Sequence, residues 1–457
     1  MARLKIFTLG ILGIFMMTTG FGCKGIQGCS ISRPPEAQPV TLEYWGVWDS
    51  PDQVAPLIGA YHSTHPTINI NYRQLRYEEY ERKLLEAWAD DRGPDVMAIP
   101  VSWLNRYKDR LTPLPATMSI PVKEVTGTLK KETITSLQDI NGLSLGDVKS
   151  KYVDVVYNNV IKDNSIYALP YSVDTLITFY NLDLLEAAGI PQPMTNFSEL
   201  IDQVPKLTKV GADNKIYQAG VALGGTDNIP RYFDIVSNLM LQTNVEVKGS
   251  SFNPNVKAES AANFIRVFGF YTDFTRPGLA SYSWDSSMPN ALDMFMQGNL
   301  AYFFGYSYNA DAIRAKGVSF DWGITKFPQP AGAQGDKYYS DYWVNVVPKK
   351  SKNVNAAWNF IQTTASTDLV KVYLDANKRP TALRSLINEQ KANQDLVISA
   401  NQVLAADNWY GGYDYNLAEQ YFKDFIDGIL DGQVDLNNRE HTNLFIERIN
   451  QTYYKQQ

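Results

Sequence analysis

Ile166-Tyr-Ala-Leu-Pro170-Tyr-Ser-Val-Asp174-Thr-Leu-Ile-Thr-Phe-Tyr-Asn181-Leu-Asp-Leu-Leu-Glu-Ala-Ala-Gly189-Ile-Pro191 is the stretch on which the fold turns. Pro170 fixes its own φ and pushes Leu169 toward an extended conformation. Leu176 to Tyr180 is a short β-branched and aromatic run bounded by polar residues, which predicts a strand. Asn181 then caps a helix carrying Leu182, Leu185 and Glu186, and Gly189 stops it as a C′ glycine, with Pro191 and Pro193 barring continuation. The order is extended segment, strand, helix, stop.

The same alternation runs outward from this stretch. Val40 to Trp45 and Ile68 to Tyr72 have strand periodicity, while Gln53 to Thr64 and Glu78 to Ala89 have helical spacing. Ser250 to Lys257 and Pro328 to Asp336 read as loops. The fold class expected is α/β, in which ligands usually sit beyond the carboxyl ends of parallel strands. Two loops in that position hold Trp45, Trp48 and Asp49, and Pro100, Ser102 and Trp103. The chain has 457 residues, more than one hydrophobic core usually supports, so two domains are the default.

The first residues read as an export signal. Arg3 and Lys5 precede an apolar run, Ile6 to Phe21, that is too short for a committed transmembrane helix. Residues 1–22 are therefore expected to be removed, which takes the formal charge of −6 to −8, since two basic residues and no acid are lost. A nucleic-acid partner is disfavoured, because phosphate binding needs a concentrated basic surface. The two cysteines, Cys23 and Cys29, both lie at the end of this signal, so no disulfide framework can staple the core. A signal ending in cysteine resembles that of bacterial lipoproteins, whose cysteine becomes the acylated first residue. Cys23 is preferred over the alternative Cys29, because reaching Cys29 would draw charged Lys24 into the apolar region. Residues 23–39, rich in proline and polar side chains, read as a lipid-anchored tether.

Catalytic patterns are poorly represented. His62, His65 and His441 have no Cys or carboxylate partner at metal-ligand spacing. Gly220 to Gly225 lacks the spacing and following lysine of a phosphate loop. Asp174, Asp285, Asp341 and Asp414 could include a glycosidase pair only at a defined separation, which sequence does not show. No metal, cofactor or catalytic residue is called for.

The opening stretch resembles the segment in which extracellular solute-binding proteins of bacterial ABC sugar importers, the maltodextrin and multiple-sugar binding lipoproteins, first pass between lobes. Val40-Thr-Leu-Glu-Tyr-Trp45, Gly93-Pro-Asp-Val96, Phe295-Met-Gln-Gly298-Asn-Leu-Ala301, Phe320-Asp-Trp-Gly323, Asn355-Ala-Ala-Trp-Asn-Phe360 and Arg379-Pro-Thr381 follow in that family's order. The resemblance implies a two-lobed periplasmic-binding-protein-like fold with a hinge and an interlobe ligand cleft. It implies lobe 1 over 40–173 plus 286–342 and lobe 2 over 174–285 plus 343–457. Hinge segments are expected near Ser172 to Thr175 and Asp341 to Val344. Its function would be to capture a sugar or oligosaccharide and deliver it, as a lipid-anchored monomer facing the extracellular side or periplasm, to the transmembrane subunits of an ABC permease. The alternatives are a glycan-acting lipoprotein enzyme and a ligand-sensing lobe of a membrane receptor.

A sugar presents apolar CH faces and a rim of hydroxyls, so its site needs aromatic platforms beside carboxylates and amides. The resemblance places Asp174 as an acidic ligand and Trp409-Tyr410 as a late aromatic platform. It adds Trp45, Trp48, Asp49, Ser102, Trp284, Tyr306, Trp343 and Arg379 as cleft candidates, each of which could instead be packing. At Ile99, Ser102 and Trp103 the chain departs from the maltodextrin binders, which puts maltose specificity in doubt.

Overall fold

The computed structural model describes residues 37–126, 131–333 and 335–455, and the signal segment with Cys23 and Cys29 lies outside them. Two separate hydrophobic cores organise the chain. The first is built on a five-stranded sheet in which Val40–Gly46 pairs in parallel with Ile68–Gln74 and with Val96–Pro100. Trp343–Pro348 joins it antiparallel to Val96–Pro100, with Leu111–Thr112 at the edge. The second sheet centres on Ile177–Asn181 and Leu300–Gly305, antiparallel to each other, with Ile216–Val221 and Trp322–Lys326 outside them.

Local signals in the sequence account for these elements. Ser50 and Gln53 form a capping box at the start of helix Pro51–Thr64, each bonding the other's backbone N–H. Asn181 accepts a bond from the Leu184 N–H and opens helix Leu182–Ala187, and Gly189 follows at φ 68°. The strand starts one residue later than its expected position, at Ile177.

The chain passes between the two cores three times. Val173 packs in the first core and Leu176 in the second; Tyr339 lies in the second and Tyr342 in the first; Ala406 lies in the first and Trp409 in the second. The three passages lie side by side in a small sheet, where Tyr338–Asp341 pairs antiparallel to Asp174–Thr175 and parallel to Ala406–Asp407. This corrects the expected division of the chain. Residues 286–341 belong with the second core, because helix Ala291–Met296 turns at Gly298 (φ 80°) into Leu300–Gly305, which pairs with Ile177–Asn181. Residues 342–406 belong largely with the first, because Trp343–Pro348 completes its sheet and helix Val354–Thr364 packs Trp358, Phe360 and Ile361 into its core. Trp284, Met288 and Ala291 all pack in one core, so no passage occurs at 285–286.

Among the described residues no helix is long and apolar enough to cross a membrane. A ribbon of Thr117–Thr126 and Glu132–Asn141 pairs over ten positions and is anchored by Met118 and Ile120, both buried in the first core.

Candidate functional site

The first core presents an open aromatic wall. Trp48 follows the strand Val40–Gly46 and precedes the capped start of its helix, and 62% of it is exposed. Tyr77, the first residue of helix Tyr77–Ala89, stacks on it at 5.6 Å with 21° between the rings. Trp343, the residue that enters the strand after the second passage, closes the corner edge-on, 6.1 Å from Trp48 and 6.3 Å from Tyr77. Trp103 is buried behind, 6.4 Å from Tyr77. Apolar rings held open to solvent in a fixed cluster offer a stacking surface.

The second core presents a charged pole toward that wall. Arg231 stands at the N-terminus of helix Tyr232–Gln242, and its Nη1 lies 3.2 Å from Asp234 in the first turn and 3.3 Å from Asp341. Its Nε and Nη2 donate to the Tyr308 hydroxyl at 3.1 and 2.6 Å. The guanidinium lies over the Tyr306 ring at 4.7 Å. Asp234 also accepts from the Tyr306 hydroxyl at 3.0 Å and the Tyr415 hydroxyl at 3.4 Å. Burial pushes the Asp234 carboxyl up to about 7; Arg231 opposes the shift, while Asp341 and Glu419 add to it. Glu419 on helix Tyr415–Leu430 is likewise raised by burial, against the pull of Arg231. Glu419, Asp341 and Arg231 lie within electrostatic reach of Tyr77, so wall and pole face each other across the gap between the lobes.

A second charged group sits at the passages. Asp174 is buried, and one carboxylate oxygen accepts from the Ser307 N–H at 2.9 Å and its hydroxyl at 2.6 Å, the other from the Thr175 N–H at 2.9 Å. Burial pushes its carboxyl up to about 6, although these bonds and Arg379 pull it down. Arg379 reaches Asp311 at 3.5 Å, an ion pair between side chains of different lobes. Asp49 accepts from the Tyr373 hydroxyl at 2.8 Å, is raised by burial and feels the same arginine.

The structure therefore sorts the expected site residues. Trp48 and Trp343 meet in the wall, Asp49, Asp174 and Arg379 gather near the passages, and Ser102 lies half-buried at the end of strand Val96–Pro100, one residue before Trp103. The remaining aromatics are engaged in packing or in bonds within their own lobes. Trp284 is fully buried and donates its indole N–H to Asn228 at 2.8 Å. Trp409 packs among Phe233, Phe252 and Phe422 with 3% exposed. Tyr410 bonds Thr452 at 3.0 Å and packs edge-on against Tyr415 and Tyr453. Trp45 is buried under the Arg73 guanidinium at 5.2 Å, and Tyr306 is buried as the floor of the pole. Each is drawn inward by the area it buries.

Sequence reasoning missed Tyr77, Arg231, Tyr308 and Glu419 altogether. Arg231 with Asp234 and Tyr306 with Tyr308 carry weak signals, spacings of three and two, but only the fold brings the two pairs together. The four acids considered as a catalytic pair have other partners: Asp174 accepts from Ser307 and Thr175, Asp285 from the Ser287 N–H and hydroxyl, Asp414 caps its helix at Leu417, and Asp341 binds Arg231. Among the described residues no group of three or more His, Cys, Asp or Glu is placed to hold a metal ion.

The profile of the bacterial extracellular solute-binding protein family matches residues 48–371, most of the described chain. The chain belongs to that family. A galactooligosaccharide-binding protein of Bacillus subtilis is 22% identical to this binding protein over 248 residues, 53% of this chain and 55% of that one. A relative from Brucella abortus is 20% identical over 308 residues, and the alignment spans 66% of its length. Two solved structures share the fold. The sugar-binding protein MalE of Xanthomonas citri superimposes with a TM-score of 0.69 at 19% identity, over 90% of this chain and 97% of its own. The cyclic alpha-maltosyl-1,6-maltose binding protein of Arthrobacter globiformis does so with 0.70 at 16% identity, over 91% and 99%.

Proposed function

We propose that this solute-binding protein captures a saccharide between the Trp48–Tyr77–Trp343 wall and the Arg231–Asp341–Tyr308 pole and delivers it to the transmembrane subunits of an ABC importer. The observation that carries this reading is the wall itself, an exposed aromatic corner on one lobe turned toward hydrogen-bonding groups on the other. Stacking rings suit the CH face of a sugar, and carboxylates suit its hydroxyls. Family membership and the saccharides for which its relatives are named support the same ligand class.

In this reading the protein is a monomer without enzymatic activity. It is held at the outer face of the cell membrane by a lipid on Cys23 (alternatively Cys29), and residues up to 39 form the tether. Tethering raises the effective concentration of the loaded protein at the permease. Ligand that bridges the lobes stabilises the closed form only by its greater affinity for it. The paired segments Asp174–Thr175 and Tyr338–Asp341 act as the hinge.

A thermal-shift screen of the mature protein over neutral, amino and acidic oligosaccharides tests the reading, since a ligand that binds only the folded state raises the melting temperature. A rise that disappears in Trp343→Ala supports it. A screen in which no saccharide shifts the parent overturns it.

A further inference from the structure

The charge balance of the cleft goes beyond a generic sugar clamp. Asp234 and Asp341 contact the guanidinium of Arg231, and a third carboxylate, Glu419, lies within its electrostatic reach. That guanidinium donates from Nε and Nη2 to Tyr308 and from Nη1 to Asp234, and Asp341 pairs with Nη1 at 3.3 Å. Its positive charge is already met by two carboxylates. Asp234 is saturated by Arg231, Tyr306 and Tyr415. The outer acids are not: Asp341 has Arg231 alone, and among the described residues none donates a hydrogen bond to the Glu419 carboxylate.

Neutral hydroxyls could bond these oxygens but would leave the excess negative charge of Asp341 and Glu419 over the one guanidinium uncompensated. Closing the lobes removes water from them, and an unpaired charge in such a place is costly. A cation compensates the charge, and the open rings of Trp48, Tyr77 and Trp343 opposite are themselves favourable to one. An anionic ligand meets repulsion from Glu419 and Asp341, and the guanidinium beside them is already paired with Asp234 and Asp341.

We propose that the cleft selects a basic saccharide, with its protonated amine seated between Glu419 and Asp341 and its ring against the aromatic wall, and that it rejects carboxylated and phosphorylated sugars. This rests on the reading of the gap as a saccharide site. Asp341 and Glu419 are then the residues that set specificity. Tyr308, which takes two N–H groups from Arg231, is left with its own proton to donate to a neighbouring sugar oxygen.

The test is calorimetric titration of the mature protein with a glucosamine tetramer, its fully N-acetylated counterpart and a galacturonate tetramer. It is run near pH 6.5, about one unit below the usual range of an amino group. The amino form should bind at least about tenfold more tightly than the N-acetylated form, a difference of about 1.4 kcal/mol, and the galacturonate most weakly. Glu419→Gln should erase the preference for the amine, Glu419→Asp should keep part of it, and thermal melts of both variants should match the parent. Equal affinity for the amino and N-acetylated forms, or an unchanged preference in Glu419→Gln, overturns the proposal while leaving the saccharide site standing. Failure of every saccharide to bind removes both.

Discussion

Two tryptophan clusters in this protein look alike in sequence and differ in kind. Trp409 sits with Phe233, Phe252 and Phe422, rings 5.2 to 6.0 Å from its own, sealed in the second core. Trp48 sits with Tyr77 and Trp343 at similar spacings, yet its face is open. Ring spacing does not separate packing from platform; what does is whether anything covers the outer face. Trp409 even leaves its indole N–H without a partner, a cost accepted where the surrounding area is apolar. The open cluster is free of that constraint and faces polar groups of the other lobe.

The comparison breaks most readily at Trp409. Trp409→Ala should cost about 3 to 5 kcal/mol of stability, the range for emptying a large core aromatic site, read from urea unfolding. A loss under 1 kcal/mol, with a specific loss of ligand binding, would move Trp409 out of the core and restore it as a platform. Trp343→Ala should do the reverse, costing about 1 to 3 kcal/mol of binding by calorimetry. Trp48→Ala should shift stability by no more than about 0.5 kcal/mol, as exposed positions generally do.

Between these lies the pole. The Asp234 carboxyl is raised in the folded protein, so below its unfolded value the folded state loses nothing by holding it. As pH rises from there toward about 7 the unfolded chain ionises while the folded state still holds the proton, so stability is lost, and the loss levels off above that. The parent should therefore lose stability relative to Asp234→Asn between about pH 4 and 7, by up to about 1.4 kcal/mol per unit. Parallel melting curves for the two across that range would show that Arg231 already compensates the charge. The smallest effect is expected at the interlobe ion pair: Asp311→Asn should change stability by about 0 to 1 kcal/mol, since the pair is partly exposed. A shift of the scattering radius in that variant without ligand would sharpen its role in holding the lobes together.

Much of this architecture was legible locally. Asn181 and Gly189 bound their helix because capping and left-handed geometry act within a few residues. The two-lobed α/β fold followed from many short motifs in a fixed order. The assignment of segments to lobes did not follow, because it depends on which strand accepts Trp343–Pro348 and Leu300–Gly305, and pairing partners lie far away in sequence. The site was half legible for the same reason. Trp48 and Trp343 carry an aromatic signal, whereas Glu419 reads as one more surface acid on an amphipathic helix until the fold turns it toward Arg231. Trp284 and Trp409 were misleading because a tryptophan in a core and one in a cleft have the same letter.

The central claim is that the open cluster, and not the sealed one, holds the ligand. It is tested most directly by titrating the tightest saccharide from the screen into the Trp48→Ala/Trp343→Ala double variant and, in parallel, into Trp409→Phe, which keeps a ring in the core. Affinity should fall by about a hundredfold or more in the double variant, close to 2.7 kcal/mol, and stay at the parent value in Trp409→Phe. Parental affinity in the double variant, with binding lost in a folded Trp409→Phe, would contradict it.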